Sequence, residues 1–285
     1  MFLYRKNGKV KRFSAATKTV QRTDRRPHLA ILFWFYKEPG VCANRLKLLR
    51  RTNPGLKIYG LYGGPQKRAG LFRQKLGNHL DDFYASPFRS SDWKWINGDL
   101  VLLDWYAKRG KRLAWESVVV VQWDMLVFAP LARIFKGMKR GQIFLSGFRT
   151  ISPKIERRWD WTRPQGTERG NYLRFLEHVR KHYGYRARAR ICLFILQVFP
   201  RVFFERYLKV GNRNVGMLEY KVPTYAEIFG VPVFRKDLGV AWDEGRKNRP
   251  LNAIPREISS AYIRAQLRKR GGWRIFHPYY RGWKL

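Results

Sequence analysis

The sequence predicts an α/β domain in which a mostly parallel sheet is flanked by helices. Short continuous apolar runs, typical of buried parallel strands, alternate with segments whose apolar residues recur at helical spacing. Hydrophobic residues make up 45% of the 285 residues, which excludes a disordered basic tail. No run approaches the roughly 18 uninterrupted apolar residues of a membrane-spanning helix. Strands separated by helices in this way form a parallel sheet with helices on both faces.

The first 150 residues show this alternation most clearly. The apolar run 28–37 predicts the first strand, and 39–51 predicts a helix that ends before the stop signal Asn53-Pro54-Gly55. The other expected strands are 56–61, 83–85, 117–121 and 142–146, and the other expected helices are 66–76 and 92–109. In such a sheet a ligand lies beyond the carboxyl ends of the strands.

The second half of the chain is less regular. A long loop is expected over 151–170, which is rich in Arg, Trp and Pro. Helices are expected at 171–183, 200–207, 223–229 and 261–270, and a strand at 189–197. We predict a basic N-terminal extension over 1–26 and a single domain over 27–285, with halves 27–150 and 151–285.

The net charge of +39 concerns partners rather than fold. It suits nucleic acid, an anionic membrane surface or anionic small molecules, and an evenly solvated basic surface accounts for it equally well. Basic clusters attract anionic lipid at about 1 kcal/mol per residue. No apolar segment follows the basic N-terminus, so we expect a cytoplasmic protein with peripheral contact to a membrane surface. The two cysteines cannot form a disulfide scaffold or a Cys-type zinc site.

A carboxylate follows the most apolar strand of the sequence. Residues 118–131 read VVVVQWDMLVFAPL, so Asp124 comes directly after a buried run. Burying a carboxylate without a partner costs several kcal/mol, which predicts a cation, a metal or a hydrogen-bond donor beside it. The plain alternative is that Asp124 caps a turn.

This segment resembles the DxD region of nucleotide-sugar glycosyltransferases of the GT-A fold. Asp124 matches the second Asp of that motif, and Gln122 stands where the first is expected. The resemblance implies that the three residues Gln122, Trp123 and Asp124 contact the donor. It also implies that Asp124 holds a divalent metal, Mn²⁺ or Mg²⁺, and it makes 27–150 the nucleotide-sugar-binding half and 151–285 the acceptor-binding half.

The C-terminal segment FHPYYRGWKL is similar to the tail of several GT-A families. The resemblance implies that His277 is a further metal ligand and that Arg281 and Lys284 meet the donor diphosphate. Neutral imidazole is a good ligand for ions such as Mn²⁺, and cations offset charge on a leaving diphosphate. A basic tail without a site is the alternative.

The segment 216–230, GMLEYKVPTYAEIFG, carries the candidate base. In inverting GT-A enzymes a base from this part of the chain deprotonates the acceptor hydroxyl, and Glu219 matches that position. A helix-start charge or a salt-bridge partner is the alternative for Glu219, and Glu227 is expected to be structural. The resemblance leaves retention or inversion of the anomeric centre open.

Nucleotide contacts are expected where the first strands end. An aromatic ring there can stack on a base, and polar residues on the next helix can reach the nucleotide. The candidates are Phe35, Tyr36, Lys37, Tyr62, Gly63, Asn97 and Asp99. Core packing is the alternative for the aromatic residues.

The preferred function is therefore sugar transfer from a nucleotide-diphosphate donor to a hydroxyl of a glycan or lipid-linked acceptor, with no nucleic-acid partner. The sequence contains no P-loop, no GxGxxG after the first strand and no GxSxG elbow. Two alternatives stay open. A basic, aromatic-rich chain can bind nucleic acid, and Gln122 suits a GT-A-like fold that has lost catalysis.

Overall fold

The computed structural model describes residues 3–6, 9–12, 29–87, 90–242 and 249–284. Within the predicted N-terminal extension, Leu3–Lys6 and Lys9–Arg12 pair as antiparallel strands, although no secondary structure was expected there. Residues 13–26 of that region lie outside the described residues. In the part of the chain described, no helix is both long and apolar enough to cross a membrane.

The elements follow in chain order. The strands are β1 (Leu3–Lys6), β2 (Lys9–Arg12), β3 (Leu29–Phe35), β4 (Ile58–Tyr62), β5 (Asp82–Ala85), β6 (Ser117–Gln122), β7 (Leu126–Val127), β8 (Phe144–Leu145), β9 (Arg149–Thr150), β10 (Arg190–Ile191), β11 (Gln197–Pro200), β12 (Val240–Ala241), β13 (Leu251–Asn252) and β14 (Ile275–Phe276). The α-helices are α1 (Pro39–Thr52), α2 (Ala69–Leu76), α3 (Ser91–Lys108), α4 (Leu131–Ile134), α5 (Pro153–Arg158), α6 (Arg169–Tyr183), α7 (Arg201–Tyr207), α8 (Leu218–Ile228) and α9 (Ser260–Arg268). Short 3₁₀ turns cover Gln66–Arg68, Gly77–His79 and Gly110–Arg112.

A six-stranded sheet in the order β5-β4-β3-β6-β11-β8 forms the centre of the domain. The first four strands are mutually parallel, and β11 runs antiparallel to both β6 and β8. The register pairs Phe35 with Tyr62 and Trp34 with Gln122, so β3, β4 and β6 end at one edge. The predicted fold class, a mostly parallel sheet flanked by helices, is confirmed.

Each face of this sheet packs against its own set of helices. Ala30, Leu32 and Val120 face α3 and α6–α8, whereas Ile31 and Val121 face α1 and α2. The apolar runs of β3 and β6 are therefore buried on both sides, which is why they read as continuous rather than alternating.

The predicted strand over 189–197 is wrong. The structure has two short strands, β10 and β11, separated by a buried loop over 192–196. The loop is apolar because it packs in the core, and its backbone groups bond to side chains and to α8. The N–H groups of Cys192 and Phe194 donate to the backbone oxygen and the Oε1 atom of Glu219, at 2.9 and 2.7 Å. Apolar content alone does not distinguish such a loop from a strand.

Helix α8 begins at Leu218 rather than at Pro223, the predicted start. Proline has no N–H, so the carbonyl of Glu219 lacks its usual partner four residues along the helix. That carbonyl accepts the Cys192 N–H instead. Pro223 therefore leaves the Glu219 carbonyl free to accept this bond, which joins the loop 192–196 to α8. The predicted loop over 151–170 also differs, because it contains α5 and the start of α6.

The C-terminal segment returns to the centre of the domain. Strand β14 pairs antiparallel with β7, with Phe276 opposite Leu126. The next residue, His277, therefore lies beside the turn that follows β6. The Tyr279 N–H donates to the backbone oxygen of Asp124 at 2.8 Å, and the His277 N–H donates to Pro250 at the same distance.

Candidate active site

A cavity of about 890 Å³ opens where β3 and β6 end. Its walls come from the ends of these strands, the first turns of α3 and α8, the loop 192–196 and the segment around β13. Among the predicted site residues, those that line it are Tyr36, Lys37, Gln122, Glu219 and His277. A large concave site at the carboxyl ends of parallel strands is the usual place for a ligand.

Asp124 and His277 form a buried pair beside this cavity. The Asp124 Oδ1 atom lies 3.4 Å from His277 Nε2, and the residues are 7% and 8% exposed. The other ring nitrogen, Nδ1, lies 2.8 Å from the backbone oxygen of Asn252 and fixes the ring. Burial by itself lowers the pKa of His277, but the Asp124 carboxylate and the Asn252 carbonyl outweigh it and raise the pKa above 6.5.

The pair fits a divalent metal ion. Apart from its 3.4 Å contact with His277, Asp124 Oδ1 is buried without a hydrogen-bond partner. His277 has the outer hydrogen bond that orients metal-bound imidazoles. An ion about 2.1 Å from each of two ligands separates them by about 3.0–3.4 Å, and the observed 3.4 Å agrees. Within the described residues no group of three or more His, Cys, Asp or Glu can share an ion.

Glu219 lies in the first turn of α8 and faces the same cavity. Burial raises the pKa of Glu219 from 4.5 to about 7, although the Phe194 N–H bonded to its Oε1 atom acts in the opposite direction. A carboxyl group with a pKa near neutrality can take a proton at working pH. Glu227, on the same helix, pairs with Arg190 at 2.6 Å and does not line the cavity.

Gln122 connects the end of β6 to the loop 192–196. Its amide nitrogen donates to the backbone oxygens of Phe194 and Ile195 at 2.8 and 3.3 Å. Phe194 in turn donates its N–H to Glu219. The residue at the first position of the DxD-like motif therefore helps to place the candidate base, a role the sequence did not indicate.

Aromatic and cationic side chains form the end of the cavity nearest β3. The Tyr36 ring is 38% exposed and meets Trp123 edge to face at 5.9 Å. Trp123 is buried and stacks on Tyr280, so it supports Tyr36 and has no free face of its own. The ammonium groups of Lys37 and Lys94 each lie 5.6 Å from the Tyr36 ring centre.

Tyr62, Asn97 and Asp99 lie away from this cavity. The Tyr62 ring is fully buried against Phe72, 4.7 Å between centroids, and packs in the core. Asn97 and Asp99 face a buried ammonium, that of Lys221, at 3.5 and 3.1 Å. These polar residues satisfy a buried cation between α3 and α8, so the helix face that carries them meets protein rather than ligand.

The predicted diphosphate contacts, Arg281 and Lys284, lie outside the cavity lining. Arg281 is exposed and pairs with Glu257 at 3.0 Å. The segment is anchored by Arg45 of α1, whose guanidinium donates to the backbone oxygens of Tyr279 and Arg281 at 2.8 and 2.7 Å. Arg45 holds the backbone that carries His277.

Several lining residues were missed by sequence reasoning. They are Trp34, Asp92, Lys94, Trp95, Trp159, Trp161 and Asn252. The only signal for them was the Trp content of 91–95 and 151–170, which does not say which rings share a cavity.

No protein-family model and no curated protein sequence matches the chain. Solved structures do match it. Mouse xyloside xylosyltransferase 1, in its apo form, is 9% identical with a TM-score of 0.40, and the match covers 88% of this chain and 98% of that chain. The galactosyltransferase LgtC, in complex with donor and acceptor sugar analogues, is 11% identical with a TM-score of 0.41 and 74% of each chain covered.

A cytidylyltransferase from Leptospira borgpetersenii is 8% identical with a TM-score of 0.41, and the match covers 73% of this chain and 75% of that chain. Glycosyltransferases are thus among the structures that this chain resembles. At these TM-scores the matches carry nothing about chemistry, which has to come from this chain's own residues.

Proposed function

We propose that this chain is a glycosyltransferase that moves a sugar from a nucleotide-diphosphate donor to a hydroxyl of a glycan or lipid-linked acceptor. The observation that carries the proposal is the arrangement of Asp124, His277 and Glu219. A buried carboxylate–imidazole pair lies 3.4 Å apart beside the cavity. A separate carboxyl group with a pKa of about 7 faces the same cavity.

In this proposal Glu219 is the catalytic base. Its carboxylate takes the proton of the acceptor hydroxyl while the hydroxyl oxygen bonds to the anomeric carbon of the donor. The bond from that carbon to the diphosphate oxygen breaks, and its electron pair leaves with the nucleoside diphosphate. A single displacement of this kind inverts the anomeric carbon, so the anomer of the product tests the role of Glu219.

Another set of residues at the cavity suits the donor. Asp124 and His277 would hold a divalent ion, which supplies positive charge toward the leaving diphosphate when bound. Lys37 and Lys94 face the cavity and add positive charge there. The exposed Tyr36 ring offers a surface on which a base can stack.

We also propose that the basic surface contacts an anionic membrane face from the cytoplasmic side. Helix α9 buries Ile263 and exposes Arg264 and Arg268, and Lys269 and Arg270 continue the exposed charge. Such clusters attract anionic lipid. Sedimentation with phosphatidylglycerol vesicles, compared with phosphatidylcholine vesicles, tests this contact. Equal binding to the two would contradict it.

The test of the donor site is thermal unfolding with UDP, GDP, CDP or ADP, each with Mn²⁺ or with EDTA. A nucleotide at about 100 times its Kd stabilises the native state by about 2.7 kcal/mol, or roughly 5 °C at this chain length. We expect one nucleotide to raise the Tm with Mn²⁺, and Asp124→Asn to abolish the rise. The control is Glu205→Gln, which replaces an exposed carboxylate of α7 by its amide. This variant should keep the nucleotide-dependent Tm rise.

The alternatives give different results. A Tm that rises with RNA and does not rise with any of the nucleotides would favour a nucleic-acid-binding protein over an enzyme. A nucleotide-dependent rise with no turnover of any nucleotide sugar would favour a fold that has lost catalysis. A rise that survives Asp124→Asn would place the donor elsewhere.

A further inference from the structure

Trp95 is an unusually exposed aromatic residue at the cavity. Its side chain is 68% exposed, more than any other large apolar residue among those described. It lies in the first turns of α3, and its ring meets Trp161 edge to face at 5.5 Å. Exposing an indole to water is unfavourable unless a ligand covers it. A ring that lines a cavity suggests such a ligand.

The loop that carries Trp159 and Trp161 is held in place. Thr162 is fully buried, and its hydroxyl donates to the backbone oxygen of Glu156 at 3.1 Å. Arg169 donates to the backbone oxygen of Thr162 and to the Glu156 carboxylate at 2.6 and 2.8 Å. These contacts hold the backbone that carries the two indoles, so less ordering of the loop is needed on binding.

A kink in α3 positions Trp95. Asn97 has non-helical backbone angles, φ −122° and ψ 29°, inside the helix. At the next residue, Gly98, a Cβ atom would lie 2.7 Å from the Trp34 ring. The glycine therefore lets Trp34 pack against the helix backbone at the bend, and insertion of a side chain is a known cause of kinks. The turn that carries Trp95 lines the cavity beyond this bend.

These indoles lie on the same wall as the candidate base. The ring centroids of Trp159 and Tyr220 are 6.2 Å apart, and Tyr220 directly follows Glu219 in α8. Trp159, Trp161 and Glu219 all line the cavity. Asp124 lies on another element, at the end of β6. A group stacked on these indoles is thus on the side of Glu219.

We propose that Trp95 and Trp161 bind the acceptor, and that the acceptor is a saccharide chain rather than a lone hydroxyl compound. One face of a pyranose ring presents C–H groups, which pack well on the electron-rich face of an indole. Its hydroxyls point outward from the ring edge, where Asp92 and Ser91 line the cavity beside Trp95. The carboxylate of Asp92 can accept hydrogen bonds from those hydroxyls. This inference rests on the proposed function for the reaction itself.

The test is binding of the full chain to an array of immobilised oligosaccharides. We expect one class of saccharide to be retained, with apparent affinity reduced about 10-fold by Trp95→Ala, equivalent to about 1.4 kcal/mol. Trp95→Phe keeps an aromatic face and should recover most of the affinity. Leu173→Ala is the control, because Leu173 is 46% exposed on α6 and does not line the cavity.

No binding to any saccharide, or equal binding by Trp95→Ala and the unaltered chain, would overturn the inference. The inference would also be overturned if the unaltered chain bound single-stranded poly(U) but no saccharide, and Trp95→Ala lost that binding. The indole would then stack on bases. The nucleotide-dependent Tm rise of the unaltered chain tests the proposed function separately. Saccharide binding that depends on Trp95 supports the inference even if that rise fails.

Discussion

Replacing Glu219 by Gln should remove activity and stabilise the protein at the same time. Glutamine keeps the Oε1 acceptor that binds the Phe194 N–H, so the loop 192–196 stays in place. It cannot take a proton from an acceptor hydroxyl. Loss of a positioned base lowers kcat by about 10²–10⁴-fold. In the unaltered protein, activity should rise with pH through about 7 as the carboxylate forms.

The stability effect follows from the raised pKa. The folded state holds the Glu219 proton more tightly than the unfolded chain, so stability falls as the pH rises from 4.5 to about 7. A pKa difference of one is worth about 1.4 kcal/mol, so the rise from 4.5 to about 7 sets an upper limit of about 3.4 kcal/mol on the loss at pH 8. Glu219 is only partly buried, so solvent screening reduces this to roughly 1–2 kcal/mol. Glutamine escapes the loss, so Glu219→Gln should melt about 2–4 °C higher at pH 8 and equally at pH 4.5.

The assay is thermal unfolding of both proteins from pH 4.5 to 8, with turnover of the identified donor. The control is Glu227→Gln, in which the effect has the opposite sign. Hydrogen bonding to Arg190 lowers the pKa of Glu227, so its charge stabilises the fold above the ordinary pKa. That variant should melt lower at pH 8. A Tm difference for Glu219→Gln that is the same at every pH would refute the raised pKa. A kcat within about threefold of the unaltered protein would refute the role as base.

Two further substitutions test the frame of the site. Lys221→Met leaves the Asp99 carboxylate buried without its cation, so we expect a loss of about 3 kcal/mol in the free energy of unfolding. Chemical denaturation measures it, and adding Asp99→Asn should recover part of the loss. Arg45→Met removes the donor from the buried Tyr279 carbonyl and from the partly buried Arg281 carbonyl, a cost of about 2 kcal/mol. We expect a protease to cut the Arg45→Met variant near His277 faster than it cuts the unaltered protein at the same concentration. An unaltered cleavage pattern would show that the segment is anchored by other contacts.

The buried strands and the carboxylate after β6 could be predicted because their signals are local. A strand buried on both faces needs a continuous apolar run, and 117–121 supplies one directly before Asp124. Asn97 and Asp99 show where local signals fail. Residues two apart in a regular helix point to different sides, and it is the non-helical backbone at Asn97 that lets both meet Lys221, which lies in a distant part of the sequence.

By itself the sequence determined the α/β class, the succession of the principal strands along the chain, and Asp124, Glu219 and His277 as candidate site residues. Only the tertiary structure decided which of them meet. His277 lies 3.4 Å from Asp124 because β14 pairs with β7, and Glu219 lines the cavity beside the loop 192–196, to which its backbone and side-chain oxygens are bonded. Such contacts join segments that are far apart in the chain. They arise from backbone hydrogen bonds that any residue can form, so residue patterns contain almost no record of them.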